Sequence, residues 1–109
     1  MWSKLIDFYL PYAMKGDAES QFELAEIWLQ DLGSATLAAY WYRRAALANH
    51  PDAAAQYAFL LLKQSPPNYV DAHYWATRAS AWGSKRGTII ADFVRRVRPQ
   101  INATNSGRT

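Results

Sequence analysis

The chain has no cysteine among its 109 residues. That excludes a disulfide framework and any thiolate metal site, and it suits a reducing compartment. Glycine is scarce, at five residues, and no glycine-rich phosphate loop can be built from them. The two histidines, His50 and His73, do not stand at a metal-ligand spacing such as His-x-x-x-His. No apolar run approaches the roughly 20 residues that span a bilayer. The first fourteen residues hold Lys4 and an apolar tendency, but Asp7 interrupts them and no small-residue cleavage site follows, so no targeting segment is expected. These absences leave a soluble, cytoplasmic protein as the expectation, with no cofactor, no metal and no small-molecule substrate.

Negative charge is scarce in the last third. Residues 78–109 hold seven Lys/Arg and only Asp92, net +6, whereas residues 1–77 hold five Lys/Arg against eight Asp/Glu, net −3. Two differently charged ends can steer a partner; the solvated face of a terminal helix gives the same count. Apolar material is plentiful, with half the residues hydrophobic and 15% aromatic, which predicts one packed domain over residues 1–99. Residues 100–109 are polar and read as a mobile tail.

The organising stretch is Ala38-Ala39-Tyr40-Trp41-Tyr42-Arg43-Arg44-Ala45-Ala46. It returns as Ala72-His73-Tyr74-Trp75-Ala76-Thr77-Arg78-Ala79-Ser80, at a constant offset of 34. An aromatic pair, an arginine and small residues recurring at that period signal a helical repeat. A second element recurs at an offset of 35: Asp17, Ala18, Gln21 and Phe22 return as Asp52, Ala53, Gln56 and Tyr57.

Helical periodicity predicts six helices. A leading helix runs from about Ser3 to Met14, with a break near Leu10 because Pro11 removes an amide donor. The next, about Ala18 to Gln30, is capped by Asp17 and aligns Phe22, Ala25, Trp28, Leu29 and Leu32. A third, about Ala35 to Ala48, has apolar groups on both sides, with Tyr40 and Leu47 opposite the Trp41 arc, as in a helix between two neighbours. Asp52 is the expected cap of a helix from Ala53 to Lys63, and Asn68 of one from Tyr69 to Trp82. The last, Lys85 to Arg98, gathers Ile89, Ile90, Phe93, Val94 and Val97 on one arc, and Pro99 closes the fold. The prediction is all-α: a short α-solenoid of antiparallel helix pairs, two full repeats between a leading and a closing helix.

These two elements resemble the Sel-one-like repeat family, a branch of the tetratricopeptide-like α-solenoid superfamily. The first family element is matched by Ala18-Glu19-Ser20-Gln21-Phe22-Glu23-Leu24-Ala25 and by Ala53-Ala54-Ala55-Gln56-Tyr57-Ala58-Phe59-Leu60. The second is matched by the two aromatic stretches, and the likeness covers about Gly16 to Gly83. The chain departs from the family where its helix-packing glycine becomes Ala25 and Leu60, and where its Gly-x-Gly turn is reduced to Gly33. The resemblance implies an adaptor or scaffold in protein complexes, common in bacteria, and does not name a ligand.

The expected role is therefore a non-enzymatic module that docks a protein or peptide. If, as in such solenoids, the first helix of each pair lines the inner face, the partner-binding candidates are Glu19, Glu23, Glu26, Gln56 and Lys63. The carboxylate ladder also reads as a wet helix face, and Phe22, Trp41, Tyr42, Tyr57 and Trp75 read as core. Self-association through the array's end is a further expectation. Two alternatives are weighed. A basic patch at Arg86, Arg95, Arg96 and Arg98, with Arg78, Lys85 and Arg108, suits nucleic acid. A face of Trp2, Leu5, Ile6, Tyr9 and Leu10 suits a membrane surface. Asn102-Ala103-Thr104 spells a glycosylation acceptor, read as chance.

Overall fold

Sharp reversals set the architecture. Five helices begin with the same device, a residue whose side chain accepts the backbone N–H three positions on. The caps are Asp17 for Ser20, Ser34 for Leu37, His50 for Ala53, Asn68 for Asp71 and Ser84 for Gly87. Directly before four of these caps stands a residue of positive φ: Gly16, Gly33, Asn49 and Gly83. Three of those left-handed residues are glycine, which enters that conformation without a Cβ penalty. One residue ends a helix and the next starts another, so consecutive helices fold back on each other.

The elements are α1 (Trp2–Met14), α2 (Ala18–Glu26) continued by a π-helical turn (Ile27–Asp31), α3 (Ala35–Leu47), α4 (Pro51–Leu62), α5 (Tyr69–Ala81) and α6 (Lys85–Val97). The computed structural model describes residues 2–101, the side chain of Trp2 excepted, and no strand occurs among them. The protein is all-α. Each helix packs on its sequence neighbours, and α4 also packs on α6. The molecule measures 47 × 25 × 21 Å.

The interior has two parts that meet at α3 and α4. One gathers Ala13, Leu24, Ala25, Trp41, Tyr42 and Ala53; the other gathers Ala46, Ala54, Ala58, Trp75, Ala76 and Val94 with their neighbours. Tyr57 packs against both. The indoles of Trp41 and Trp75 are buried, seated among alanines that are fully enclosed. The two aromatic stretches also match in geometry. Tyr40 meets Trp41 edge-on at 5.0 Å, and Tyr74 meets Trp75 edge-on at 5.1 Å. Arg44 donates to the Tyr40 hydroxyl at 3.3 Å, and Arg78 to the Tyr74 hydroxyl at 3.2 Å.

Several expectations are corrected. α1 passes through Pro11 without a break; Pro11 is exposed, so the carbonyl it leaves unpaired lies on the solvent side. α4 starts two residues early, because His50 and not Asp52 is its cap and Pro51 occupies the first helical position. The predicted second helix widens at Ile27, where the Leu32 amide donates to the Ile27 carbonyl at 3.0 Å. That extra residue per turn throws Leu32 off its stripe, and it is exposed. Tyr40 and Leu47 are exposed too, so α3 is covered on one side only. Packing runs past Pro99, since Ile101 is buried in the second part of the interior. Residues 102–109, with the Asn102 acceptor sequence and Arg108, lie outside the described residues, as does the Trp2 side chain.

Candidate docking groove

Which side of α6 faces inward decides what the surface offers. The predicted arc of five large residues splits. Ile90 and Val94 are buried together with the small Gly87 and Ala91, while Ile89, Phe93 and Val97 are 68%, 50% and 43% exposed. Gly87 explains the choice. A Cβ placed there would lie 2.7 Å from the Ala79 Cβ and 2.8 Å from the Ser80 amide nitrogen, so the glycine side is the one pressed onto α5. The large side is turned outward.

Between that outward row and α4 lies a groove of about 380 Å³, lined by Phe59, Leu62, Tyr69, Ile89, Ile90 and Phe93. Three cations stand on its aromatic walls. Lys63 and Arg86 lie over the Phe59 ring, at 5.4 and 5.0 Å, and Arg98 lies over Tyr69 at 5.2 Å. Among the described residues, none of these three cations has a carboxylate partner. The arrangement is an apolar trough with a positive rim.

The sequence candidates divide between this groove and other places. Lys63 comes to it from the inner-face set, and Arg86 and Arg98 come from the basic patch. Arg95 does not: it pairs with Asp92 and donates to His73 Nε2 at 3.5 Å. Arg96 is exposed on α6. Gln56 is buried, its amide nitrogen 3.5 Å from the Tyr42 hydroxyl, so it is no surface contact. Burial, then the Glu26 carboxylate, push that hydroxyl well above the usual tyrosine range.

Glu19, Glu23 and Glu26 stand together on α2. Glu19 is engaged by His50, whose Nε2 lies 2.9 Å away. Because His50 Nδ1 accepts from the Ala53 amide at 3.1 Å, Nε2 is the nitrogen that donates to Glu19. The imidazole also stacks on Phe22 at 4.6 Å, which ties α2 to the start of α4. Glu26 accepts from Gln30 at 2.9 Å. Glu23 has its pKa raised by burial first and then by Glu19 and Glu26. Glu23 and Glu26 border a cleft of about 400 Å³ against Leu5 and Tyr9 of α1.

Of the expected membrane face of α1, Ile6, Tyr9 and Leu10 lie against the interior and Leu5 is exposed, as are Phe8, Tyr12 and Met14 outside it. No helix of the described residues is long and apolar enough to cross a membrane. No group of three or more His, Asp or Glu is placed to hold a metal ion among them.

Sequence reasoning missed Ile89 and Phe93 as surface groups because it counted only large residues toward the buried arc of α6, and it gave Phe59 and Tyr69 no place in a groove. The signal was present in Gly87 and Ala91, which extend the arc on its other flank and mark where a neighbour approaches closely. No protein-family model matches the chain, and no curated protein or solved structure matches it.

Proposed function

We propose that this protein is a non-enzymatic interaction module, an adaptor or scaffold that docks a peptide or protein partner on its helical surface. Its helices form a short α-solenoid of the Sel-one-like kind, a reading supported by the matched Tyr–Trp–Arg geometry of α3 and α5. The observation that carries the function is the outward row Ile89, Phe93 and Val97 beside the groove. Three apolar side chains in line along one helix, next to a trough of aromatic rings, form a patch of the type that marks interaction sites. The basic residues supply a second reading, single-stranded nucleic acid, which requires binding that falls steeply between low and moderate salt.

The test is selection from a displayed peptide library on the full chain, followed by affinity measurement. Selected peptides should lose at least about tenfold in affinity for Phe93→Asp, since a buried anchor contributes on the order of 1.5–3 kcal/mol. They should bind Glu23→Lys/Glu26→Lys as they bind the wild type. The reverse pattern moves the site to the α2 cleft.

A further inference from the structure

We infer that the groove takes an acidic amphipathic helix, a reading that rests on the docking role proposed above and specifies its partner. Three features of the groove lead there. Its lining comes from α4, α6 and the first residue of α5, Tyr69, all of them helical, so the groove presents no strand edge for an extended peptide to pair with. Recognition must come from side chains. The exposed row on α6 advances by four residues per step, from Ile89 through Phe93 to Val97, which is about 12 Å of helix at 1.5 Å per residue. A second helix laid along it meets that row with its own i, i+3/i+4, i+7 stripe.

Charge then selects the partner's flanks. Lys63 and Arg86 lie over the Phe59 ring and Arg98 over the Tyr69 ring, all three without a carboxylate partner among the described residues. A helix with apolar anchors and glutamates beside them pairs these cations at the rim while its anchors fill the trough. A lysine-flanked helix of equal hydrophobicity brings like charges together and is rejected.

The experiment uses two synthetic fluorescein-labelled helical peptides with the same leucine stripe, one flanked by glutamate and one by lysine. Binding to the full chain is followed by anisotropy at low and moderate salt. The glutamate peptide is expected to bind about tenfold or more tightly than the lysine peptide, with the margin shrinking as salt rises. Lys63→Glu/Arg86→Glu should invert the preference while circular dichroism stays unchanged. Phe93→Asp should abolish binding of both peptides.

Equal binding of the two peptides, or no inversion in the double variant, overturns the acidic partner and leaves docking intact if Phe93→Asp still abolishes binding. Binding that ignores Phe93→Asp overturns the groove itself. A concentration-dependent dimer that Phe93→Asp dissolves gives the groove to a second copy of this chain. Cosedimentation with phosphatidylserine vesicles that Phe93→Asp removes gives it to a membrane surface. Either result overturns the inference.

Discussion

Single residues in this protein act mostly by how little space they take. Gly87 sits where α6 meets α5, and its hypothetical Cβ would come within 2.9 Å of the Ala76 carbonyl oxygen as well as touching Ala79. Alanine there gains up to about 1 kcal/mol of helix propensity. It also forces two helices apart, and overpacking of this kind costs about 1–3 kcal/mol. The contact involves backbone, which cannot swing aside, so the steric cost wins. Gly87→Ala is expected to lower the midpoint of thermal unfolding by several degrees. An unchanged or higher midpoint would show that α5 and α6 have room for a methyl group at Gly87.

His73 illustrates the electrostatic counterpart. It is buried on α5, and burial first, then Arg95 from α6, hold its pKa below the ordinary histidine value. Where the folded pKa is depressed, the unfolded chain binds more protons between the folded value and the usual one of about 6.5. Stability from the neutral ring is therefore fully present above about pH 6.5 and is lost as pH falls through the folded value. An NMR titration of the imidazole should place its midpoint below that of a free histidine. A midpoint at or above the free value would mean that the ring is solvated in solution.

At the scale of the helices, the sequence carried most of the information, and its failures have local causes. The caps Asp17 and Asn68 and the stops Gly16, Gly33 and Gly83 were legible because their chemistry is confined to one turn. His50 was not, because a histidine caps only when one ring nitrogen is left as an acceptor, and Glu19 on another helix decides which. The π-helical turn after Glu26 left no composition signal, since Ile27 to Asp31 read equally well as α-helix. The docking groove was half legible. Arg86 and Arg98 were singled out by charge and Lys63 by its place on the expected inner face, yet which helix faces they shared depended on how α4 and α6 pack. That contact lies more than twenty residues apart in the chain.

On the scale of the whole molecule, the two parts of the interior communicate through few groups. Ala45 and Ala53 belong to one part, Ala46 and Ala54 to the other, so α3 and α4 turn from one to the next within single residues. Methyl groups are too small to bind the halves strongly. Tyr57 is the large side chain that packs against both, and its ring meets Trp75 edge-on at 5.9 Å. Removing it should therefore do more than lower stability. A half-buried aromatic truncated to alanine costs on the order of 2–4 kcal/mol, and here that loss falls on the seam. Native-state hydrogen exchange on Tyr57→Ala is expected to show α1 and α2 opening at lower free energy than α5, whereas wild-type helices on either side of the seam share their slowest opening. Equal loss of protection on both sides would mean that the alanine contacts between α3 and α4 suffice to keep the protein one cooperative unit. Tyr57 would then contribute packing energy without coupling the two halves.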